Sequence, residues 1–201
     1  MAQPFPAILL GGPPHSGKST LAHRLSRALH ARSIAHYLLR ASPDGEGNWT
    51  YETPEGVGRA LRVKTDWTPK FAELIAKEVA DRRLPLLVDA GGRVSDETRL
   101  IADACTHAIV IAAELSALDP WRELATGRSL ALLADLQSQL KGVQLMDDAG
   151  PTLRGIVTGL ERGGNSDGPC FDALVERLAA ICVSSQADLA RAQADQVADV
   201  L

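Results

Sequence analysis

The chain of 201 residues is poor in aromatic residues, in cysteine and in net basic charge. Three tryptophans, three phenylalanines and two tyrosines leave the core to be built mainly from leucine, valine, isoleucine and alanine. Three widely spaced cysteines form no Cys-x-x-Cys pair, which argues against a zinc ribbon or a disulfide framework and predicts reduced thiols in a cytoplasmic protein. The formal net charge of −4 provides no overall basic field for nucleic acid or an anionic membrane.

Long hydrophobic runs are also absent. The first residues lack the positive segment of a signal peptide, and no stretch approaches the ~18 apolar residues of a membrane span. With 45% hydrophobic and 23% charged residues, the composition is typical of a globular protein and excludes a disordered chain. We expect one domain over residues 1–183 with a turn-rich insert at 41–66, followed by a C-terminal tail over 184–201 that is helical or disordered.

Short apolar runs alternate with stretches of helical periodicity, which predicts strands joined by helices in a three-layer α/β/α fold with a mainly parallel sheet. Predicted strands cover 7–10, 33–39, 84–88, 107–112, 130–134 and 153–158. Helices are predicted after residue 17, from Thr68-Pro69, from Ser95 to 104, near 120–127 and from Phe171 onward, whereas 136–152 is ambiguous. Sites in such folds lie beyond the carboxyl ends of the strands.

A complete G-x-x-x-x-G-K-[ST] motif follows the first strand, with an amphipathic helix after it. Backbone N–H groups of such a loop bind phosphates, its lysine approaches the β- and γ-phosphates, and its hydroxyl binds Mg²⁺. Lys18 and Ser19 take these two roles here, and His15 receives no individual role. The predicted nucleotide-binding residues are Gly12, Pro13, Pro14, His15, Ser16, Gly17, Lys18, Ser19 and Thr20.

An apolar strand that ends in Asp89 is typical of a Walker B element, in which the carboxylate reaches Mg²⁺ directly or through water. Asp89 and Gly92 also have D-x-x-G spacing, so the Gly92 amide either turns toward the γ-phosphate or belongs to a turn that needs positive φ. No glutamate follows Asp89, which favours a kinase-like P-loop NTPase fold over a motor AAA-type one. No N-K-x-D guanine motif is present, which favours ATP over GTP.

The acceptor of a transferred phosphoryl group is predicted to bind after the second strand. Asp44 is the candidate that would orient or deprotonate a small hydroxyl acceptor there, although Pro-Asp-Gly is also ordinary turn chemistry. The nearby aromatic residues form either a packed subcluster or a stacking surface for a base or acceptor. They are Trp49, Tyr51, Trp67 and Phe71.

Several segments resemble the AAA-like ATPase domain that is fused to CRISPR-associated ring-nuclease proteins. They are PAILLGGPPHSGKST, HYLLRASPDGEGNW, the Trp67-Thr68-Pro69 triplet, LPLLVDAGG and CTHAIVI, within residues 5–182. The resemblance implies nucleotide binding by Gly12 to Thr20, a CRISPR signalling component as partner, and a site role for PDGEGNW. The 201 residues do not accommodate a nuclease domain as well, so the resemblance implies either an excised domain or a stand-alone relative.

Two functions are predicted from these features. The first is an enzyme that binds ATP and Mg²⁺ and hydrolyses or transfers the γ-phosphate, with Lys18, Asp89 and Asp44 as catalytic residues and Ser19 and Asp89 as metal ligands. The second is a nucleotide-binding regulatory module with little turnover that controls a partner or a fused nuclease. A third reading, an oligomeric ATPase acting on nucleic acid, is disfavoured by the net charge.

Overall fold

The structure is a computed structural model, and it describes residues 5–42, 68–161 and 163–198. The strands are β1 (Ala7–Gly11), β2 (Tyr37–Ala41), β3 (Leu86–Ala90), β4 (His107–Ala112), β5 (Ala131–Gln139), β6 (Met146–Asp147) and β7 (Leu153–Thr158). The α-helices are α1 (Lys18–Ala31), α2 (Pro69–Ala80), α3 (Asp96–Asp103), α4 (Asp119–Gly127) and α5 (Pro169–Ala198), and a 3₁₀ turn, Leu115–Leu118, leads into α4.

The described strands form one seven-stranded sheet in the order β2-β3-β1-β4-β5-β7-β6. Every neighbouring pair is parallel except β6 and β7, which are antiparallel. β1 lies between β3 and β4, so the loop that follows β1 emerges at the middle of the sheet edge. The predicted three-layer fold with a mainly parallel sheet is therefore confirmed.

Helices cover both faces of the sheet, and β1 contributes alternate side chains to the two cores. Ile8 and Leu10 pack with α1 and α5 on one face. Ala7 and Leu9 pack with α2, α3 and α4 on the other. Burial of both faces explains why the inner strands are continuous apolar runs rather than alternating ones.

Local capping explains where two helices begin. The hydroxyl of Thr68 accepts a hydrogen bond of 3.2 Å from the amide of Phe71, and Pro69 stands at the first helical position of α2. Ser95 caps α3 in the same way through the amide of Thr98. Both starts agree with the sequence-based prediction.

The second strand begins four residues later than predicted. Ser33 has φ of 58°, and its amide and that of Ile34 donate to carbonyl groups of the last turn of α1, so these residues terminate the helix.

The spacing of apolar residues in α2 predicts a buried stripe of Phe71, Leu74, Ile75 and Val79. Ile75 and Val79 are buried as predicted, together with Ala72, whereas the prediction was wrong at Leu74, which is 56% exposed.

β5 extends to Gln139, five residues beyond its predicted end, and the short β6 lies within the region left ambiguous. α5 continues without interruption across residue 184 to Ala198.

The three cysteines are free and buried, as predicted. No described helix is both long and apolar enough to cross a membrane. Residues 43–66 of the predicted insert lie outside the described residues.

Candidate functional site

The loop between β1 and α1 is held in place by two close approaches of its glycines. A Cβ atom on Gly12 would lie 2.1 Å from the carbonyl oxygen of Ile111 in β4. Gly17 has φ of 81° and lies against Leu160, where a Cβ atom would come within 2.8 Å of the Leu160 Cβ. The motif glycines are therefore required by contacts with the sheet and with the residues after β7.

The loop leads directly into the N-terminus of α1. The first N–H groups of an α-helix have no carbonyl partner within the helix, and the first turn of α1 contains no acidic residue. The positive end of the helix dipole therefore adds to the N–H groups of the loop at this point.

Ser16 independently indicates that the loop between β1 and α1 can bind an anion. Its side chain is 3% exposed, and its hydroxyl oxygen has no hydrogen-bond partner among the described residues. A buried hydroxyl without a partner is costly, so a polar ligand in the loop would satisfy it. The residues present therefore fit a bound phosphate.

Lys18 and Asp89 meet beneath the loop. The two residues are 9% and 3% exposed, and Nζ of Lys18 lies 3.5 Å from Oδ1 of Asp89. Asp89 is the fourth residue of β3 rather than a residue that follows the strand, and it is in register with Leu10 of β1. Direct pairing of β3 with β1 thus brings the two motifs of the sequence together.

Arg40 is a site residue that the sequence-based prediction missed. Its Nη1 donates to Oδ2 of Asp89, and its side chain is 14% exposed. β2 and β3 are parallel with Arg40 in register with Asp89, so the two side chains leave the same face of the sheet. A charged residue that interrupts the apolar run Leu38-Leu39 was the signal that could have identified it.

Gly92 lies against the glycine-rich loop between β1 and α1. A Cβ atom on Gly92 would lie 2.8 Å from Cγ and 2.9 Å from the nitrogen of Pro14. Neither Gly91 nor Gly92 is among the described glycines with positive φ. Close approach to Pro14, rather than backbone conformation, therefore explains this glycine. A contact between its amide and a γ-phosphate stays a prediction.

A cavity of about 310 Å³ opens on the loop, from Pro13 to Thr20. Its other wall is formed by Leu140 after β5 and by Leu160 and Glu161 after β7, none of which the sequence-based prediction named. A second cavity of about 520 Å³ lies beside it, between α1 and residues 161–171, and shares Thr20 and Glu161 with the first. The loop is thus accessible to a ligand larger than a phosphate ion.

The donors available for Mg²⁺ are few. Ser19 is partly exposed at the start of α1, and Asp89 is the nearest carboxylate to Lys18 that the structure records. The described residues contain no cluster of three or more histidine, cysteine, aspartate or glutamate side chains that could hold a metal ion. Two protein donors suit Mg²⁺, which usually takes one or two protein ligands and completes its shell with water and phosphate oxygens.

Two further polar residues, Asp44 and Arg122, are not placed at the loop by the structure. Asp44, together with Trp49, Tyr51 and Trp67, lies outside the described residues, so its role stays a prediction. Arg122, on α4, forms two hydrogen bonds of 2.9 Å with Asp135.

Neither a family model nor a curated protein sequence matches the chain. Among solved structures, the chain is similar to the cell division protein FtsY from Thermotoga maritima, with a TM-score of 0.46. Sequence identity is 13%, over 89% of this chain and 70% of FtsY. This likeness is too distant to indicate a function. The order of β1, glycine-rich loop, α1 and an adjacent strand with a buried aspartate is itself that of a P-loop NTPase fold.

Proposed function

We propose that the protein binds ATP together with Mg²⁺ and hydrolyses or transfers the γ-phosphate. The observation that carries the proposal is the buried contact of Lys18 with Asp89 at the end of a glycine-rich loop, in which the Ser16 hydroxyl has no hydrogen-bond partner among the described residues. A buried lysine, the N–H groups of the loop and a helix N-terminus together form a positive, preorganised environment for a triphosphate.

A role is proposed for each residue of the site. Loop N–H groups and the Ser16 hydroxyl donate to phosphate oxygens, and Lys18 contributes a mobile positive charge near the transferred group. Ser19 and Asp89 would hold Mg²⁺, which neutralises phosphate charge when it is bound. Asp44 is proposed to orient the acceptor, either water or a small hydroxyl compound.

The test replaces Lys18 with alanine. Lys18→Ala is expected to weaken binding of a fluorescent ATP analogue in the presence of Mg²⁺ by at least about tenfold, since hydrogen bonds to charged groups contribute about 1.5–3 kcal/mol. Phosphate release should fall by about 10²-fold or more, because Lys18 stabilises transition-state charge.

Lys77→Ala is the matched control, because Lys77 is an exposed lysine on α2. Thermal unfolding of both variants checks that the fold is intact. Equal ATP affinity and turnover in Lys18→Ala and the wild-type protein would refute the proposal.

A second candidate function is a nucleotide-dependent regulatory module with little turnover. It is favoured by Ala90, which follows Asp89 and carries no carboxylate to polarise an attacking water. ATP turnover with and without a panel of small hydroxyl acceptors separates the two functions. Negligible turnover throughout, beside micromolar ATP binding, would select the module.

The choice of ATP and a connection with CRISPR-associated defence are finer parts of the proposal that rest on sequence features. The choice of ATP over GTP rests on the missing N-K-x-D motif. The connection with CRISPR-associated defence rests on the segments that resemble the AAA-like ATPase domain. Displacement of the fluorescent ATP analogue by unlabelled ATP and GTP tests the first. A change of ATP affinity or turnover on addition of cyclic oligonucleotides tests the second.

A further inference from the structure

The Asp89 carboxylate is contacted by two cations, and each takes a different oxygen. Lys18 approaches Oδ1 from the start of α1, and Arg40 donates to Oδ2 from β2. Asp89 is 3% exposed, and Oδ1 has no hydrogen bond among the described residues. The lysine contact at 3.5 Å is thus an ion pair without a hydrogen bond, whereas the arginine contact is a hydrogen-bonded ion pair.

The two cations differ in how firmly the fold holds them. Arg40 belongs to a strand that is hydrogen-bonded to β3 along five register positions, and it faces Asp89 directly. Lys18 carries its ammonium group on a flexible four-carbon chain at the edge of the phosphate loop. Strand pairing therefore places Arg40 directly beside Asp89 with a hydrogen bond, whereas the Lys18 ion pair has no hydrogen bond that would have to break when the ammonium group turns away.

Lys18 cannot serve Asp89 and a triphosphate equally well, since its ammonium group is a single point charge. When Lys18 turns toward phosphate oxygens, a buried carboxylate loses one of its two cations close to several negative charges. An uncompensated buried charge is strongly unfavourable. Another cation must therefore remain on Asp89 during nucleotide binding.

We propose that Arg40 is the positioning residue of the site: it holds the Asp89 carboxylate and balances its charge when Lys18 turns to the nucleotide. This inference rests on the proposed nucleotide binding. Arg40 acts through Asp89, so its effect depends on that carboxylate. Loss of the Arg40 side chain should weaken nucleotide binding least when Mg²⁺ accompanies the nucleotide, because Mg²⁺ adds positive charge beside the Asp89 carboxylate.

The experiment measures the Kd of a fluorescent ATP analogue with Mg²⁺ and with EDTA, for the wild-type protein, Arg40→Gln, Asp89→Asn and the double variant. Arg40→Gln is expected to raise the ratio of the EDTA Kd to the Mg²⁺ Kd by about tenfold, a coupling typical of contacting charges. Asp89→Asn removes the charge that Arg40 balances, so the double variant should return to the ratio of Asp89→Asn alone. Arg40→Lys, which keeps the charge, should lie between Arg40→Gln and wild type.

Controls separate this role from structural support. Arg122→Gln removes an arginine that pairs with a different carboxylate, Asp135, and should leave the ratio unchanged. An Arg40→Gln variant that loses ATP affinity equally with Mg²⁺ and with EDTA leaves the ratio of the two Kd values unchanged. That result, with no suppression by Asp89→Asn, would overturn the inference. If Arg40→Gln does not fold, Arg40→Lys and the double variant supply the same comparison.

Failure of this inference differs from failure of the proposed function. A wild-type protein that does not bind the ATP analogue with Mg²⁺ refutes both. A wild-type protein that binds it, with a Kd ratio that Arg40→Gln leaves unchanged, refutes only the role of Arg40.

Discussion

Besides Gly17, three glycines around the loop between β1 and α1 stand where a Cβ atom would collide with its neighbours. The collision at Gly11 is with the ring of Trp121, at 2.4 Å, and that at Gly92 is with Pro14. The collision at Gly12 is with a main-chain oxygen of β4, at 2.1 Å. The neighbour of Gly12 is the backbone of a strand in the middle of the sheet, which cannot move without disturbing its hydrogen-bonded ladder.

Gly12→Ala is therefore expected to destabilise the protein by about 1–3 kcal/mol or more, as overpacking does in other cores. It should also displace the loop and weaken ATP binding. Chemical denaturation gives the stability change, and titration with the fluorescent ATP analogue gives the affinity. Gly127→Ala is the control, because a Cβ atom there has no neighbour within 4 Å. A stability loss as large in the control would contradict the explanation.

The motif spacing predicted that Gly12 and Gly17 are needed, because any loop of this kind wraps around a phosphate. Motif spacing could not predict why glycine is needed at positions 11 and 92. Their neighbours, Trp121 and Pro14, are separated from them by many residues of chain and become neighbours only after folding.

At the scale of elements, Arg82 joins three segments on one side of the sheet. It follows α2 and is 6% exposed. Its guanidinium donates to the carbonyl of Phe5 before β1 at 2.6 Å, of Val79 in α2 at 2.7 Å and of Ala104 after α3 at 3.2 Å. Burial lowers the pKa of Arg82, but the three carbonyl acceptors satisfy the charged group.

Arg82→Met should leave these buried carbonyl groups without their donor, at a cost of about 1–3 kcal/mol for each group that finds no other partner. Thermal and urea unfolding measure the loss. Arg83→Met, at the exposed neighbouring position, is expected to change stability by less than about 0.5 kcal/mol. Comparable effects at the two positions would mean that the buried hydrogen bonds contribute nothing specific.

The elements themselves were predicted best where a local signal marks both ends. The strand at 107–112 and the strand at 153–158 have their predicted bounds, and α2 and α3 begin at their predicted caps. β5 was predicted too short because Leu136 is the one apolar residue between Asp135 and Gln139, and pairing with β7 extends the strand through this polar stretch.

At the scale of the whole molecule, two histidines link stability to pH. Nε2 of His36 lies 2.8 Å from the hydroxyl of Ser26, and its Nδ1 lies 2.8 Å from the carbonyl of Ile34. Burial lowers the pKa of both His36 and His107 below the usual value near 6.5. Folding therefore favours the neutral form of both side chains.

The unfolded chain binds more protons than the folded chain once the pH drops below about 6.5, so the free energy of unfolding should fall as the pH is lowered from there. Urea denaturation at a series of pH values measures this slope. His36→Gln should reduce it, whereas His15→Gln, at an exposed position, should not. A slope that His36→Gln leaves unchanged would mean that His36 does not contribute.

The sequence by itself determined the class of fold, the glycine-rich loop after the first strand and the aspartate of the third strand, because periodicity, caps and motif spacing are local properties of the chain. Only the tertiary structure decided that Arg40 shares this carboxylate with Lys18 and that Leu140 and Leu160 face the loop. These contacts depend on strand order and register, which arise when segments far apart in the chain pair within one sheet.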